Sequence, residues 1–396
     1  MAVIQRFFKG CGMKKICFVT TVSMTLKAFV LETAKYLHDN GGFDISFICN
    51  DDEQFAASLP EYIHFYPVPM ERGISVGGVK AMLSIKKIFK EQKFDIVQYS
   101  TPNASCYASL AGWLAKVPVR LYCQWGIAYV GFAGIKRSIF KLEEKMVCRL
   151  STWIEPDSFG NLKFSHSEGL YPETKGSVIW NGSASGVSLK KFDLSFKAEW
   201  REIIRKKYEI PEDATVFTFV GRVTKDKGIN ELFEAAKKLF EKYNDVYLLM
   251  VGPNENSGSV DPELYEWSLN NKRVIYCGFT NVAEQYLAAS DVYVLPSYRE
   301  GFGSAVIEAE AMTVPVIVSD IPGPTDAMKE NVTGLVVKKG DADSLTAAMD
   351  RLYTDCELRE EMGRNAYKFA VQGFEQSVLF EKILADRIRL IEAGEK

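Results

Sequence analysis

The chain has 396 residues, of which 47% are hydrophobic and 25% are charged, and a formal net charge of −3. These values are typical of a globular protein with more than one core, and they exclude a disordered or low-complexity chain. The sequence contains no run of 18 apolar residues, so we expect no membrane-spanning helix. The eight cysteines are scattered without a C-x-x-C pair, which argues against a zinc site or a disulfide framework and favours a reducing cytoplasm.

Helix and strand patterns alternate through the first half of the chain. Short apolar runs predict strands, and longer amphipathic runs between them predict helices. The predicted strands lie at residues 16–20, 45–49, 95–99 and 119–123, and the predicted helices at 28–38, 78–91 and 104–115. Buried strands that alternate with helices are typical of a parallel sheet covered on both faces. We therefore predict an α/β, Rossmann-like, doubly wound domain over residues 1–190.

The same pattern restarts after a looser stretch near residue 195. The predicted strands lie at residues 216–220, 246–251, 274–277, 292–295 and 316–319, and the predicted helices at 230–241, 282–289 and 305–311. This restart predicts a second Rossmann-like domain over residues 195–373. A C-terminal helix, residues 374–396, is expected to pack back on the first domain. Such sheets bind ligands beyond the carboxyl ends of their strands, so we expect a ligand cleft between the domains.

Charge is distributed unevenly along the chain. Residues 72–149 contain 13 Lys and Arg against 4 Asp and Glu, whereas the remainder is acidic. A basic N-terminal half suits an anionic partner, such as a phospholipid surface or a pyrophosphate-linked substrate. The alternative is a set of solvated helix faces, for example around residues 86–90.

A loop and a helix start between residues 296 and 308 combine glycines with two carboxylates. Glu300 precedes the loop at 301–303, Ser304 is placed to cap a helix, and Glu308 lies about one turn inside that helix. Amides at such a helix start bind anions, and glycines let the backbone approach a ligand. Carboxylates accept hydrogen bonds from sugar hydroxyls. Taken alone, the spacing is equally compatible with two ordinary glutamates at a helix start.

A basic, glycine-bounded segment follows the strand predicted at residues 216–220. Arg222 and Lys227 lie between Gly221 and Gly228. A guanidinium and an ammonium group at a strand end can neutralise a leaving diphosphate. The order of residues differs from G-x-x-x-x-G-K-[ST], so an ATPase is not indicated. A basic surface turn is the alternative.

Two further strand ends carry turn residues. They are Gly252-Pro253 and the segment from Gly278 through Phe279 to Asn281. Either turn can contact a nucleotide base and ribose, although simple strand-to-helix turns explain them equally well. No G-x-G-x-x-G follows the first predicted strand, so a dehydrogenase is not favoured.

Taken as a set, residues 221–228, 278–281 and 300–308, followed by Gly334-Leu-Val-Val, resemble the retaining glycosyltransferase family 4. The resemblance implies the GT-B fold, in which two Rossmann-like doubly wound domains face a cleft. It also implies that Arg222 and Lys227 hold the donor diphosphate and that Glu300 contacts the transferred sugar, which makes these three the predicted catalytic residues. The implied donor-binding residues are Gly221, Phe279, Gly301, Phe302, Gly303, Ser304 and Glu308, the last of them on the nucleotide ribose.

The first half of the chain resembles the branch of that family that builds capsular polysaccharides, exopolysaccharides and lipid-linked oligosaccharides. The resembling stretches are residues 20–26, 94–102 and 181–187. They imply an acceptor linked to undecaprenyl diphosphate or a similar carrier. The candidate acceptor-side residues are Thr21, Thr25, Gln124, Trp125 and Tyr129.

One position departs from the family pattern. Many members carry His-Gly after the strand predicted at residues 119–123, whereas this chain has Gln124-Trp125-Gly126. Two interpretations of Trp125 stay open, because it either packs against the sugar or belongs to the core. As an alternative to Trp125, Gln124 would hydrogen-bond the sugar.

Asp341-Ala-Asp343 matches the D-x-D metal motif of the other glycosyltransferase architecture. It directly precedes a helical pattern, so we predict a helix cap instead of a metal site. We therefore expect no required metal and no cofactor, since the nucleotide sugar is a substrate.

The resemblance implies transfer with retention from a nucleotide-diphosphate donor, most often a UDP-sugar, in surface polysaccharide synthesis. No carboxylate nucleophile is evident, so front-face attack by the acceptor is the working hypothesis. A nucleotide-sugar epimerase on the same fold and a non-catalytic sugar-nucleotide-binding scaffold remain as alternatives. We expect no nucleic-acid partner, and a cytoplasmic protein with peripheral contact to the anionic inner face of the plasma membrane.

Overall fold

The computed structural model describes residues 13–71, 76–255 and 258–395. Within these residues the backbone forms two parallel sheets of six strands each, which confirms the predicted α/β doubly wound class. One compact unit contains the described residues up to Ser185 together with those from Ser377 onward, and the other contains Gly186–Gln376. Across the described residues, each helix is too short or too polar to traverse a bilayer.

The sheet of the first unit has the strand order β3-β2-β1-β4-β5-β6. Its strands are β1 Lys15–Val19, β2 Asp44–Cys49, β3 Ile63–Pro67, β4 Ile96–Tyr99, β5 Val119–Gln124 and β6 Trp153–Pro156. The helices that connect or follow these strands are α1 Ser23–Phe29, α2 Leu31–Gly41, α3 Glu53–Ser58, α4 Val76–Gln92, α5 Pro102–Ala115, α6 Gly134–Leu150 and α7 Phe159–Ser167. The strand order reverses between β1 and β4, so the loops after these two strands diverge and leave room for a ligand.

Both faces of this sheet are covered by apolar side chains. Along β1, Ile16 and Phe18 belong to one buried cluster, and Cys17 and Val19 belong to another. Successive strand residues point to opposite faces, so a continuous apolar run such as this one requires helices on both sides. The run therefore explains why the sequence shows no alternation of apolar and polar residues here.

The last helix, α15 Gln376–Gly394, belongs to the first unit from Ser377 onward. Leu379 and Ile383 lie in the same buried cluster as Ile16. Arg387 is buried and its Nη2 donates a hydrogen bond to Glu155 Oε1 at 3.0 Å. Apolar packing and this buried ion pair together attach the end of the chain to the N-terminal sheet.

The sheet of the second unit has the order β12-β11-β10-β7-β8-β9. Its strands are β7 Thr215–Val220, β8 Val246–Val251, β9 Val274–Gly278, β10 Val292–Leu295, β11 Val316–Ser319 and β12 Gly334–Val337. Its helices are α8 Lys197–Lys207, α9 Ile229–Lys242, α10 Pro262–Asn270, α11 Ala283–Ala288, α12 Ser304–Ala311, α13 Ala342–Thr354 and α14 Cys356–Phe374. Here the order reverses between β7 and β10, which brings the loops that follow these two strands together.

Candidate active site

The loops after β7 and β10 lie side by side because the two strands pair directly, with Val292 opposite Phe217. The first loop contains a 3-10 turn, Lys225–Lys227, and the second carries Glu300. Lys227 Nζ donates a hydrogen bond to Glu300 Oε1 at 2.6 Å, and the two side chains are only 18% and 14% exposed. Strand order thus joins two predicted catalytic residues at the carboxyl edge of the sheet.

Ser297 holds the same carboxylate from a second side. It is buried, and its Oγ donates to Glu300 Oε1 at 2.7 Å. Glu300 Oε1 therefore accepts two hydrogen bonds, whereas Oε2 accepts none from the residues that the structure describes. The carboxylate is oriented, and one of its oxygens can accept a hydrogen bond from a ligand hydroxyl.

The two loops pack too closely to admit a side chain at Gly228. This residue has φ +71°, and a Cβ built on it would lie 2.0 Å from the carbonyl oxygen of Pro296. Tyr298 N donates to Asp226 O at 2.9 Å, and an Arg299 nitrogen lies 3.2 Å from the Asp226 carboxylate. Backbone contact and an ion pair together set the distance between the loops.

The glycine-rich turn before α12 uses a different cap from the predicted one. Gly303 is the N-cap residue with φ +83°, and no side chain caps the helix. Ser304 is the first helical residue, so the predicted Ser304 cap is wrong. The positive φ at the cap favours a residue without a Cβ, and the chain meets that requirement with Gly303.

The rest of this turn is held by backbone packing and by one buried ring. A Cβ built on Gly323 would lie 1.9 Å from the carbonyl oxygen of Gly301. Phe302 is buried, and its ring centroid lies 5.3 Å from that of Phe374. The Phe302 side chain is therefore part of the core, and only its backbone can contact a donor.

Glu308 lies in the second turn of α12, in a partly buried position. Burial raises the pKa of its carboxyl, a rise that the charge of Lys191 opposes and that of Glu284 increases. Lys191 Nζ also lies 3.7 Å from Glu284 Oε2. One lysine thus lies near two carboxylates, and a ligand hydroxyl that donates to Glu308 would stabilise the ionised form of this carboxyl.

Arg222 and Phe279 are the exposed members of the predicted donor site. Arg222 Nη1 lies 3.2 Å from Glu255 Oε2, in an ion pair whose two side chains are half-exposed. Phe279 follows β9 directly and is 63% exposed. Its neighbour Gly278 has φ +71° with nothing near its Cβ position. A large apolar ring held in solvent at a strand end offers a surface on which a base can stack.

Tyr293 is a residue near the site that the sequence does not single out. It lies on β10, is fully buried, and its hydroxyl has no hydrogen-bond partner among the described residues. Burial raises the pKa of this hydroxyl, and the charges of Glu300 and Glu308 raise it further. Within the run Val-Tyr-Val-Leu, a tyrosine has the pattern of an ordinary core residue, so no sequence signal marks it.

The Asp341-Ala-Asp343 segment caps a helix, as predicted. Asp341 is the N-cap residue of α13, and its side chain accepts a hydrogen bond from Ser344 N at 3.0 Å. Asp343 points elsewhere, because its carboxylate lies 2.7 Å from Lys238 Nζ. The two carboxylates therefore have separate structural roles.

In the first unit, the loops after β1 and β4 are joined through Thr21. Its hydroxyl lies 2.9 Å from that of Thr101, and its backbone N donates to the same Thr101 oxygen at 3.1 Å. Thr25 lies in the first turn of α1 and is partly exposed. Both threonines therefore lie at the carboxyl ends of the strands, where the prediction of an acceptor site requires them.

Gln124 points into the interior of the first unit. Its Nε2 donates to Glu144 Oε1 at 2.6 Å, and its Oε1 accepts from Ser165 Oγ at 2.8 Å and from Tyr171 OH at 3.4 Å. The residue is fully buried. The predicted hydrogen bond from this side chain to a sugar therefore finds no support here, because its polar atoms are already satisfied inside the domain.

The two aromatic residues near Gln124 differ in exposure. Trp125 is partly exposed and its ring centroid lies 5.7 Å from that of Phe29. Tyr129 is buried, and its hydroxyl donates to Glu168 Oε2 at 3.2 Å. A direct contact with an acceptor is therefore open to Trp125, whereas the hydroxyl of Tyr129 is directed at a neighbouring carboxylate.

Glu144 makes the stability of the first unit depend on pH. Burial raises its pKa from 4.5 to about 7, although hydrogen bonds from Gln124 and Tyr122 oppose the rise. Between these values the folded protein holds a proton that the unfolded chain has lost, so stability falls as the pH rises. We expect Glu144→Gln, which keeps an acceptor oxygen and cannot ionise, to exceed the parent in unfolding free energy by up to about 3 kcal/mol at pH 8.

Urea unfolding at pH 5 and pH 8 measures this difference. At pH 5 the glutamine resembles the protonated glutamic acid, so variant and parent should be similar. Glu241→Gln, on the exposed side of α9, is the matched control and should leave the pH dependence unchanged. An equal difference between Glu144→Gln and parent at both pH values would show that the carboxyl does not titrate in this range.

Two doubly wound parallel sheets in one chain, with candidate ligand loops at the carboxyl ends of their strands, have the architecture of the GT-B fold. A solved glycosyltransferase from Rickettsia africae shares this fold, with a TM-score of 0.77 at 22% identity over 96% of this chain and 99% of its own. The model of the glycosyl transferase 4-like domain matches residues 15–154, and that of the glycosyl transferases group 1 matches residues 201–369.

Two curated relatives span nearly the whole chain. The capsular polysaccharide biosynthesis glycosyltransferase CapM of Staphylococcus aureus is 29% identical over 86% of this chain and 88% of its own. UDP-Gal:alpha-D-GlcNAc-diphosphoundecaprenol alpha-1,3-galactosyltransferase of Escherichia coli is 31% identical over 85% of this chain and 86% of its own. The chain therefore belongs to the group 1 glycosyltransferases with a glycosyl transferase 4-like N-terminal domain, and the predicted family and enzyme class are confirmed.

Proposed function

We propose that this glycosyltransferase moves a sugar from a UDP-sugar to a polyprenyl-diphosphate-linked saccharide, with retained configuration, in the synthesis of a surface polysaccharide. The names of the two curated relatives support the pathway and the substrates, since one is named for capsular polysaccharide biosynthesis and the other for UDP-Gal and a diphosphoundecaprenol acceptor. The observation that carries the proposal is the contact between Lys227 and Glu300 at the carboxyl edge of the second sheet.

In this proposal the cation and the carboxylate of the contact act on different parts of the donor. Lys227 Nζ lies beside the oxygen Oε1, and Glu300 Oε2 remains for a hydroxyl of the transferred sugar. Loss of the donor diphosphate leaves about two negative charges, which Lys227, Arg222 and the amides of the turn before α12 would stabilise as they develop. A phosphate oxygen would replace Glu255 as the partner of Arg222.

The nucleotide would occupy the neighbouring strand ends. Phe279 supplies an exposed ring for the base, and Glu308 supplies an acceptor for a ribose hydroxyl. We propose that these cations neutralise the diphosphate without a required metal ion, so that transfer continues in EDTA.

We propose front-face attack for the chemical step. The acceptor hydroxyl oxygen forms its bond to the anomeric carbon on the face from which the diphosphate departs. The bond between that carbon and the diphosphate oxygen breaks, and the hydroxyl proton passes to the leaving phosphate. The old bond breaks ahead of the new one, and the oxocarbenium-like sugar that exists before the acceptor bond is complete would be stabilised by the Glu300 carboxylate. Product with inverted configuration, seen by proton NMR of the anomeric signal, would refute this step.

Binding and transfer across UDP-, GDP- and dTDP-sugars test the proposed donor, with a polyprenyl-diphosphate-linked sugar as the acceptor. We expect one UDP-sugar to be consumed, and we expect the Arg222→Ala variant to bind this donor more weakly or to transfer its sugar more slowly. Phe279→Ala should raise the donor KM about tenfold, because stacking on a base contributes about 1–3 kcal/mol. Leu269→Ala, another exposed apolar residue of the same unit, is the matched control. Product from donor alone would favour the epimerase, and binding without turnover would favour the scaffold.

A further inference from the structure

Helix α6 carries an apolar stripe on its solvent side. Ile135, Ile139 and Leu142 are 81%, 52% and 69% exposed, and Met146 is partly exposed. Their spacing of i, i+4, i+7 and i+11 places them on one line along the helix. The opposite side of α6 is buried through Val147 and Cys148. The helix therefore has an apolar face in the core and a second apolar face in water.

Basic residues flank the exposed stripe. Lys136, Lys145 and Arg149 are exposed and form no ion pair with any described residue. Lys136 Nζ lies 4.3 Å from the centre of the Phe132 ring. The two other cations of the helix, Arg137 and Lys141, turn toward Glu168 instead. Three cations are thus left beside the apolar line.

Both carboxylates of α6, all of whose residues the structure describes, make hydrogen bonds to neighbouring elements. Glu144 is buried against Gln124. Burial also raises the pKa of Glu143, which hydrogen-bonds Cys106. An apolar line flanked by three cations without ion-pair partners among the described residues, with one carboxylate buried and the other partly buried against Cys106, is complementary to an anionic lipid surface, which supplies both acyl chains and negative charge.

A neighbouring helix of the same layer repeats the pattern. Helix α5 packs against both α4 and α6. On α4, Val79 and Leu83 are exposed one turn apart, with Lys80 exposed beside them. Lys87 is exposed as well, and its Nζ lies 3.9 Å from Glu91 Oε1. The basic excess of residues 72–149 is therefore concentrated on helices that also expose apolar side chains.

The stripe begins close to the predicted acceptor residues. Ile135 is the second residue of α6, and the loop that precedes the helix contains Trp125 and the 3-10 turn Ala128–Gly131. This loop follows the carboxyl end of β5. A surface bound along α6 would consequently lie beside the edge of the sheet where a lipid-linked acceptor is expected.

We propose that the exposed face of α6, formed by Ile135, Ile139, Leu142 and Met146 with Lys136, Lys145 and Arg149, docks the enzyme on an anionic lipid bilayer. The apolar residues enter the boundary between headgroups and acyl chains, and the cations contact lipid phosphates. Docking itself does not depend on the proposed function. Only its purpose rests on that function, since docking would bring the first unit to an acceptor held in the same membrane.

Co-sedimentation of the full chain with vesicles tests the docking. The vesicles contain phosphatidylcholine alone or with about 30 mol% phosphatidylglycerol, a fraction that gives a strongly negative surface. We expect binding to the anionic vesicles that weakens with salt. The triple variant Ile135→Ser, Ile139→Ser, Leu142→Ser should bind about tenfold or more weakly, since each buried apolar side chain adds to the partitioning. The triple variant Lys136→Gln, Lys145→Gln, Arg149→Gln should lose the preference for anionic lipid.

A matched control comes from the second unit, where Ile203 and Leu269 are also exposed. The double variant Ile203→Ser, Leu269→Ser should bind vesicles like the parent. Unchanged vesicle binding by the α6 serine variant, or no binding by the parent, would overturn the proposal. So would a parent dimer in solution that the serine variant converts to monomer, since a second copy would then cover the stripe.

Two further readouts separate this result from folding and from catalysis. The α6 serine variant should keep the melting temperature and the UDP-sugar binding of the parent, because each replaced side chain is more than half exposed. Vesicle binding uses neither donor nor acceptor, so its result tests the docking proposal independently of the donor assay. Transfer to a short-chain, water-soluble acceptor should be equal in variant and parent, whereas transfer to an acceptor in anionic vesicles should fall with the binding.

Discussion

Replacing Lys227 with alanine is expected to lower kcat about 10²–10³-fold, the usual cost of removing one preorganised group that stabilises developing charge. Lys227 Nζ contacts Glu300 at 2.6 Å with little exposure to solvent, so its charge acts on the departing diphosphate with weak screening by water. The loss should fall mainly on kcat, because the charge on the leaving group is greatest in the transition state. Single-turnover transfer with the UDP-sugar and the lipid-linked acceptor measures it.

A neighbouring lysine provides the control for this prediction. Lys225 lies on the same 3-10 turn and is exposed, so Lys225→Ala changes the same net charge without touching Glu300. It should leave kcat close to that of the parent. Glu300→Gln keeps the shape of the carboxylate while removing its charge, and it should also lower kcat. Parent-like turnover in Lys227→Ala would remove the basis of the proposed site.

Replacing Gly228 with alanine is expected to destabilise the second unit by about 2–5 kcal/mol, the sum of left-handed strain and overpacking. The new Cβ would lie 2.0 Å from the Pro296 carbonyl oxygen at φ +71°, so the loops after β7 and β10 must separate. This movement should also pull Lys227 away from Glu300 and lower transfer. Urea unfolding, followed by transfer assays under conditions in which the variant is folded, measures the two effects.

Gly258→Ala separates the clash from the backbone strain. Gly258 has φ +78° with nothing within 4 Å of its Cβ position, so its alanine variant carries the strain alone. It should cost about 1–2 kcal/mol and leave transfer unchanged. Equal destabilisation by both alanine variants would mean that the loops tolerate the extra methyl group, and the tight spacing between them would then not be required.

The strands buried on both faces are evident in the sequence. Runs such as Val246–Val251, Val292–Leu295 and Val316–Ser319 coincide with β8, β10 and β11, because a strand covered by helices on both sides needs apolar residues at every position. Strand β3, Ile63–Pro67, lacks this pattern and is not predicted from the sequence. It lies at the edge of its sheet and is half-exposed, so its composition resembles that of a loop.

The candidate site is likewise evident in the sequence only in part. The sequence singles out Arg222, Lys227 and Glu300 by charge and by adjacent glycines, without indicating that Lys227 and Glu300 touch. Their contact depends on the pairing of β7 with β10, which no local pattern encodes. In the sequence Ser297 resembles an ordinary loop residue, and only the structure shows that its hydroxyl donates a hydrogen bond to Glu300.

Side-chain direction is the property that local sequence leaves open. Gln124 ends a strand beside the predicted acceptor loop, and only the position of Glu144 on α6 shows that its amide faces inward. Ser304 has the chemistry of a cap, whereas the positive φ of the turn assigns that place to Gly303.

The sequence by itself determined the two α/β units, the family and the residue types of the donor loops, because period and composition are local properties. The tertiary structure decided which of those residues meet, which face inward and which apolar residues of α6 remain in water. These outcomes depend on contacts between residues far apart in the chain, where packing and hydrogen-bond satisfaction override local preference.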